Sequence, residues 1–211
     1  DIKSFKLSFI AINMDNNLKV QMPKNDFSDV VVISPGIKGG QDNILVQSLS
    51  DLLLKNGFAV VTWDFGFFMR EEEGIDQTRE LKELNKVLDR VIEMYPSVRV
   101  HLAGKSYGGL ISSLVDPERF LSLGVFGLLK EFQGIVFTKP TNRELFAVHG
   151  SRDKFFTPEE IKNYLGNEED LFIVGDADHG LGDADFNFVG ENGLKWYVEK
   201  LKSLINKNYV S

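Results

Sequence analysis

Gly104-Lys105-Ser106-Tyr107-Gly108 follows an apolar, partly β-branched run at 98–103 and precedes residues at 109–114 that favour a helix. A strand, a Gly-x-Ser-x-Gly turn and a helix form the arrangement that holds a nucleophilic serine on a sharp, strained turn. Such a turn tolerates only glycine on either side of the central three residues. We therefore expect the Ser106 hydroxyl to stand clear of a sheet and the Tyr107 amide to face a developing oxyanion.

The same glycines have two other interpretations. The first is a β-to-α turn that binds nothing. The second is the end of a phosphate-binding P-loop, because Gly104-Lys105-Ser106 matches its last residues. A P-loop needs a further glycine five residues before Gly104, where the chain has Arg99. The P-loop is excluded, and the partners of the serine must decide between the remaining two.

A serine needs a general base, and the chain has three histidines. His101 lies inside the strand before the turn, where a core position is expected. His149 closes the apolar run at 145–148; it could lie near the site, but a structural role at a strand end is favoured. His179 stands on a small-residue loop after the apolar run at 171–174. We predict His179 as the base, against the alternative of a solvated loop histidine.

The base in turn needs an orienting carboxylate. Asp153 lies in a short turn directly after the strand expected at 145–149. A helix then begins, with Thr157 as N-cap, Pro158 at its first position and Glu160 three residues after the cap. This is a capping box with proline in its favoured place, so the turn is well anchored. We predict Asp153 as the acid.

Asp176 and Asp178 are rival acids because they are close to His179 in sequence. Neighbours on one loop rarely reach the outer ring nitrogen while leaving the inner one free, so Asp153 is preferred. With Asp183 and Asp185 these residues could instead suggest a cation site. Their spacing lacks the glycine and the terminal glutamate of a calcium-binding hand. A solvated acidic loop is the expected structure, and no metal is predicted.

The motifs together resemble those of the α/β-hydrolases, and among them a lidless, dienelactone hydrolase-like serine hydrolase. The order Ser106, Asp153, His179 is the order of that superfamily. The resemblance rests on Pro35-Gly36-Ile37, Gly104-Lys105-Ser106-Tyr107-Gly108-Gly109, Gly150-Ser151-Arg152-Asp153 and Asp178-His179-Gly180. It implies a Ser106–His179–Asp153 triad and an oxyanion hole formed by the backbone N–H groups of Ile37 and Tyr107.

The chain departs from this family pattern at three points. Many relatives have histidine where this chain has Pro35, and the turn carries a bulky Lys105 before the serine. Dienelactone hydrolases proper use a cysteine nucleophile, whereas this chain has no cysteine. These differences leave the implied triad intact, but they leave the substrate and catalytic competence open.

Apolar runs and helical stripes alternate along the chain. Strands are expected at 5–12 and 18–22, joined by a turn at 15–17, and at 29–34, 58–63, 98–103, 121–129, 145–149 and 171–174, with 135–137 as an alternative sixth strand. Helical stripes cover 45–53, 81–92 and 194–205. This predicts an α/β-hydrolase fold, with a mostly parallel sheet of about eight strands and helices on both faces.

The 47 residues from Ser106 to Asp153 leave no room for a large cap domain. Residues 130–143 could form a short flap over the site. Residues 63–70 are a candidate wall of an acyl or aromatic pocket, and ordinary core packing is equally favoured.

Composition limits the classes of function. With 211 residues, 43% of them hydrophobic, the chain is expected to form one domain over 1–211. The absence of cysteine excludes disulfides and cysteine-ligated metals. A formal charge of −7 argues against nucleic acid as a partner. Apolar stretches are shorter than the ~18 residues of a membrane span. We expect no cofactor, a cytoplasmic location and a small-molecule acyl substrate.

The expected function is a carboxylesterase-like serine hydrolase that cleaves an ester, thioester or similar acyl bond through an acyl-enzyme. Two alternatives remain at this point. The chain could be a binding or scaffold protein that keeps the fold without catalysis. It could also be an acyltransferase or lyase that uses the same serine, since the difference lies in which acceptor reaches the acyl-enzyme.

Overall fold

The computed structural model of the protein describes residues 10–14, 18–70 and 75–207. Its strands are β1 Ile10–Met14, β2 Leu18–Met22, β3 Asp29–Ser34, β4 Ala59–Trp63, β5 Arg99–Lys105, β6 Ser122–Phe126, β7 Glu131–Phe132, β8 Ile135–Val136, β9 Glu144–Gly150 and β10 Leu171–Val174. Its helices are α1 Ile44–Lys55, α2 Gly66–Arg70, α3 Gln77–Met94, α4 Tyr107–Ser112, α5 Pro158–Leu165 and α6 Glu191–Lys207.

Eight strands form the central sheet, in the order β1-β2-β4-β3-β5-β6-β9-β10. The six strands from β4 to β10 in this order are parallel, and β2 runs opposite to its neighbours β1 and β4. The mostly parallel sheet is therefore as expected from the alternation of strands and helices. The turn predicted at 15–17 and the part of the first strand predicted at 5–9 lie outside the described residues.

The sheet is covered on both faces. Apolar runs such as β3, whose six residues are all buried, supply side chains to the two faces at once. Helices α1 and α6 pack on one face through residues such as Leu49 and Tyr197. Helices α3, α4 and α5 pack on the other through residues such as Leu84, Ile111 and Ile161. This double covering makes the ends of the strands the place for a site.

The sixth strand lies at Ser122–Phe126, inside the stretch predicted at 121–129. The alternative at 135–137 is wrong, because Ile135 and Val136 pair instead with Glu131 and Phe132 in a separate two-stranded ribbon. Gly134, with φ of 80°, makes the tight turn between them. The ribbon is the only regular secondary structure within 130–143, so the described residues form no large cap domain. Within the described part of the chain, no helix is long and apolar enough to cross a membrane.

Candidate active site

Four segments of the chain end at one edge of the sheet. Ser106 follows β5, the loop with Ile37 follows β3, Asp153 follows β9 and His179 follows β10. These strands are mutually parallel, so their carboxyl ends lie on the same side. Ligands of open α/β sheets bind at this edge. The four segments singled out by their sequence motifs therefore lie together at the edge of the sheet where ligands bind in this class of fold.

The backbone of Ser106 is strained. Its φ is 51° and its ψ is −114°, a conformation that non-glycine residues rarely adopt. The Ser106 amide donates a hydrogen bond of 2.9 Å to the carbonyl of Phe126, which ties the turn to β6. Strain of this kind persists only where the surrounding structure imposes it.

The two glycines of the motif permit this turn by their lack of a side chain. A Cβ at Gly104 would lie 2.3 Å from the amide nitrogen of Gly109, in the first turn of α4. A Cβ at Gly108 would lie 2.2 Å from the carbonyl oxygen of Ser34, at the end of β3. Helix α4 thus begins directly against two strands, and any larger residue would push the serine away from the edge.

Ser106, His179 and Asp153 form a continuous chain of hydrogen bonds. The Ser106 Oγ lies 2.7 Å from Nε2 of His179, and Nδ1 of His179 lies 2.7 Å from Oδ2 of Asp153. A carboxylate only accepts, so Nδ1 carries the imidazole proton and Nε2 is left to accept from the serine hydroxyl. The side chain of Asp153 is fully buried, while that of His179 is 19% exposed. The buried carboxylate of Asp153 therefore holds the imidazole ring by Nδ1, and Nε2, on the other side of the ring, lies beside Ser106.

A second histidine lies against the same carboxylate. The Nε2 of His149 is 3.3 Å from Oδ2 of Asp153 and donates a hydrogen bond to the carbonyl of Phe156. The ring is fully buried, and burial lowers the pKa of His149 although Asp153 opposes that shift. The sequence analysis favoured a structural role for His149 at a strand end. Its spacing of four residues from Asp153, across a tight turn, is the signal that could have revealed the contact.

The loop that carries His179 rests on two glycines that the sequence analysis did not assign to it. A Cβ at Gly127, whose φ is 64°, would lie 2.4 Å from the carbonyl oxygen of His179. A Cβ at Gly150 would lie 2.2 Å from the carbonyl oxygen of Asp178. Gly127 directly follows β6 and Gly150 is the last residue of β9, so the loop packs closely against the ends of these two strands. No recognisable motif surrounds Gly127, and only its position after a strand hints at this role.

Asp178 organises the histidine loop and is not its acid. One of its carboxylate oxygens, Oδ1, accepts hydrogen bonds of 2.7 and 2.9 Å from the amides of Gly180 and Gly182. Asp176 is exposed, and its amide donates to the Ser151 hydroxyl. Within the described ranges, neither aspartate forms an ion pair with His179. Of the three aspartates, Asp153 alone is hydrogen-bonded to His179 within the described residues, and its role stays a prediction.

The loop after β3 brings Ile37 beside the serine. A Cβ at the preceding Gly36 would lie 3.7 Å from Cβ of Ser106. Among the residues that the structure describes, the amides of Ile37 and Tyr107 donate no hydrogen bond, so both remain available to a ligand. The carboxylate of Asp64, after β4, holds this loop by accepting from the amide and the side chain of Gln41 at 2.7 and 2.9 Å.

The side chain of Tyr107 is fixed beneath the site. Its hydroxyl donates a 2.7 Å hydrogen bond to Oε2 of Glu80 in α3, and both side chains are fully buried. Burial raises the pKa of the Tyr107 hydroxyl, and the hydrogen bond to Glu80 adds to that effect. Sequence reasoning did not mark Glu80, because an acidic residue in an amphipathic helix is normally solvated.

Aromatic rings surround Tyr107 and His179. Phe65, Phe67 and Phe132 have ring centroids 5.5, 6.3 and 5.9 Å from that of Tyr107. Trp63 and Phe65 are buried in the core, whereas Phe67 is half-buried and packs against it, so core packing is seen and the pocket wall stays a prediction. Phe132 belongs to the β7–β8 ribbon, which places the flap beside Tyr107.

A second Ser–His–Asp arrangement lies at the opposite end of the sheet. His101 Nδ1 is 2.8 Å from the Ser122 hydroxyl, and Nε2 is 3.2 Å from Asp29. Ser122 and His101 are completely buried, so no substrate can reach them, and the core position expected for His101 agrees with this. In the described part of the chain, no three His, Cys, Asp or Glu side chains are arranged to hold a metal ion.

The fold is similar to the folds of several solved protein structures. The fold is similar to that of an α/β serine hydrolase homologue from Coxiella burnetii, with a TM-score of 0.67 and 20% identity over 95% of this chain and 96% of that one. It is also similar to an α/β serine hydrolase without a lid from Xanthomonas campestris, with a TM-score of 0.65 and 20% identity over 83% and 88% of the two chains. A candidate dienelactone hydrolase from Klebsiella pneumoniae has a TM-score of 0.67 and 16% identity over 94% and 99%.

Sequence comparison identifies the family directly. The sequence matches no curated protein sequence. Residues 28–185 match the family model described as an alpha/beta hydrolase domain, and this range spans the strands from β3 to β10 together with Ser106, Asp153 and His179. With this match over most of its length, the chain belongs to the α/β-hydrolase family.

Proposed function

We propose that the protein is a serine hydrolase that cleaves an ester, thioester or similarly activated acyl bond. The single observation that carries the proposal is the unbroken hydrogen-bond chain from Ser106 through His179 to Asp153, with both contacts at 2.7 Å. Membership of the hydrolase family supports the same conclusion. In this proposal Ser106 is the nucleophile, His179 the general base and Asp153 the orienting acid.

The acylation step follows from the protonation states. As Ser106 Oγ attacks the carbonyl carbon, its proton passes to Nε2 of His179. The ring can accept it because Asp153 holds the other proton on Nδ1 and stabilises the imidazolium that forms. Asp153 itself takes no proton. The imidazolium then protonates the leaving group, and the acyl group remains on the serine.

The negative charge of the tetrahedral intermediate is stabilised by two free amides. Those of Ile37 and Tyr107 flank the strained serine and donate to the oxyanion in this proposal. The backbone strain at Ser106 and the buried Tyr107–Glu80 hydrogen bond fix the second donor before the substrate arrives. Water, activated by His179, then attacks the acyl-enzyme and releases the acid.

Labelling and turnover together test the proposal. The protein is incubated with a fluorophosphonate probe, and the adduct is located by mass spectrometry, alongside hydrolysis of short-chain and aromatic esters with detection of the free acid. The Ser106→Ala variant should lose labelling and about 10⁴- to 10⁶-fold in turnover, by analogy with other triads. Ser203→Ala, an exposed serine of α6, is the matched control and should behave like the parent.

Three outcomes would contradict the proposal. The first is turnover that survives in Ser106→Ala, and the second is labelling at other serines. The third is a folded parent protein that neither labels nor hydrolyses any ester, which would favour a binding role. Acyl product found on an added alcohol or amine, with no free acid, would instead indicate an acyltransferase.

A further inference from the structure

Lys105 is a charged residue beside the nucleophile that the proposed triad does not use. It is the last residue of β5 and directly precedes Ser106. Its Nζ lies 3.5 Å from the point where a Cβ on Gly36 would stand, and Cβ of Ser106 lies 3.7 Å from the same point. Nζ of Lys105 and Cβ of Ser106 are therefore at most about 7 Å apart.

The absence of a side chain at Gly36 keeps this space open. A side chain there would lie in van der Waals contact with both Lys105 and Ser106. Gly36 also directly precedes Ile37, whose amide donates no hydrogen bond within the described residues. The ammonium thus lies beside the edge of the sheet at which an acyl group would bind.

The charge on Lys105 has no partner within the described ranges. No hydrogen bond or ion pair engages its Nζ, although the residue is half-buried. Burial lowers the pKa of Lys105, and the more distant carboxylate of Asp178 only partly opposes this. Asp178 already accepts the amides of Gly180 and Gly182 with one of its oxygens. Placing a cation where it is partly desolvated and unpaired is costly, so its position calls for a charge from outside the protein.

Several other cations of the described residues have acceptors. Arg119 donates to Asn85 and Asp89, Lys200 lies 3.5 Å from Asp170, and Lys139 donates to the carbonyl of Leu165. Lys105 differs from them in having no such acceptor. Lys19 in β2 is half-buried without an acceptor as well, but in the described residues only Lys105 directly precedes a serine with positive φ, Ser106.

We propose that Lys105 selects acyl substrates that carry a carboxylate close to the reacting carbonyl, such as monoesters of short dicarboxylic acids. This inference rests on the proposed hydrolase function. An ammonium–carboxylate hydrogen bond spans about 2.8 Å. With the ammonium within about 7 Å of the serine, two or three carbons between the carboxylate and the scissile carbonyl match the gap. The carboxylate would supply the missing partner of Lys105 while the carbonyl meets Ser106.

The test compares two esters of equal size that differ in charge. Monoethyl succinate and monoethyl glutarate carry a carboxylate, and ethyl succinamate and ethyl glutaramate carry a neutral amide in its place. The parent protein should hydrolyse the anionic member of one pair about ten- to a hundredfold better in kcat/KM, the range of one hydrogen bond between charged groups. Equal rates on both members of both pairs would overturn the inference without any variant.

Variants assign the preference to Lys105. Lys105→Met should abolish the ratio and change the rate on the neutral ester less than about threefold, Lys105→Glu should invert the ratio, and Lys105→Arg should keep most of it. Lys38→Met, an exposed lysine on the neighbouring loop, makes the same change in net charge and should keep the parent ratio. A uniform fall on both esters in Lys105→Met would contradict substrate selection, as would an unchanged ratio.

Fluorophosphonate labelling separates this inference from the proposed function. A parent protein that labels at Ser106 but shows no charge preference contradicts only the role of Lys105. Loss of labelling in the folded parent contradicts the hydrolase itself. If Lys105→Met fails to fold, as judged by circular dichroism and thermal melting, the Lys105→Arg and Lys105→Gln pair makes the same comparison of charge.

Discussion

Nε2 of His149 lies 3.3 Å from Oδ2 of Asp153, the same oxygen that accepts Nδ1–H of His179. Two imidazoles therefore meet at one carboxylate oxygen, one buried and one facing the serine. Because burial lowers the pKa of His149, the buried ring is neutral at neutral pH and contributes an N–H dipole without a charge. The main-chain amide of Phe155 holds the other oxygen of Asp153 at 2.8 Å. Asp153 thus accepts one hydrogen bond at each oxygen, and the His149 ring packs against Oδ2 while its N–H donates to the carbonyl of Phe156.

The first prediction concerns the donor at His149. His149→Leu removes the ring that packs against Asp153 and the N–H that donates to the carbonyl of Phe156, and we expect kcat to fall about tenfold or more and stability to fall by about 1 to 3 kcal/mol. His149→Gln keeps an N–H at a similar distance from the backbone and should retain most of both. Steady-state kinetics and urea unfolding measure the two effects. Equal losses of kcat in the two variants would show that ring packing, and not the donor, is what matters.

The second prediction concerns Gly127. Gly127→Ala places a methyl group 2.4 Å from the carbonyl oxygen of His179 and forces the histidine loop to move. We expect activity to fall at least a hundredfold, because the Ser106–His179 hydrogen bond is lost. Gly166→Ala is the matched control, since Gly166 also has positive φ (75°) but has no neighbouring atom within 4 Å of its Cβ position. Both variants bear about 1 to 2 kcal/mol of backbone cost, but only Gly127→Ala should lose activity.

The third prediction concerns the buried support of the proposed oxyanion hole. Tyr107→Phe removes the hydroxyl that donates to Glu80 and leaves that buried carboxylate short of a donor. We expect stability to fall by about 1 to 3 kcal/mol, with a smaller effect on kcat because the amide of residue 107 remains. Tyr164→Phe, which removes a hydroxyl that donates to a carbonyl, is the comparison. If denaturant unfolding gives equal losses for both, the Glu80 carboxylate makes no special contribution.

The fourth prediction concerns acid stability. Burial alone would raise the pKa of Asp29, but hydrogen bonds from His101, Arg99 and Ser28 outweigh it and lower the pKa from 3.8 to about 2. The stability that Asp29 contributes is therefore fully present above the unfolded pKa of 3.8 and is lost as the pH falls toward 2. The difference in unfolding free energy between the parent and Asp29→Asn should shrink between pH 5 and pH 2.5.

Unfolding in urea across this pH range measures that difference. Asp26→Asn, an exposed carboxylate a few residues earlier, should show no such convergence and serves as the control. A gap between the parent and Asp29→Asn that stays constant with pH would contradict the role assigned to the carboxylate charge.

Much of the sheet could be predicted because its strands are continuous apolar runs. Buried parallel strands such as β3 and β4 have this continuous apolar pattern. The alternation of strands and helices along the chain indicated that the loops after the strands lie at the same edge of the sheet. The apolar residues Ile135 and Val136 fit the same pattern but pair locally in a ribbon. Periodicity reports that a segment is apolar and extended; it does not report which partner the segment finds.

The candidate site divides in the same manner. Ser106, Asp153 and His179 lie in recognisable turns, and the structure brings them within hydrogen-bond distance. Glu80 escaped notice because its partner, Tyr107, is 27 residues away. The role of Gly127 could not be predicted because it depends on close contact with the loop of His179, which is distant in sequence. Contacts of this kind depend on the assembled fold and leave no local signal.

The separation of Ser106 from His179 by 73 residues has a consequence for the timing of activity. A chain emerges from the ribosome with its N-terminal segments first. β5 and the turn with Ser106 therefore leave the ribosome well before β10, which brings His179 to the site by pairing with β9. During that interval Ser106 lacks its hydrogen bond to His179. A reaction that requires both residues therefore cannot occur in the nascent chain until β10 has paired with β9.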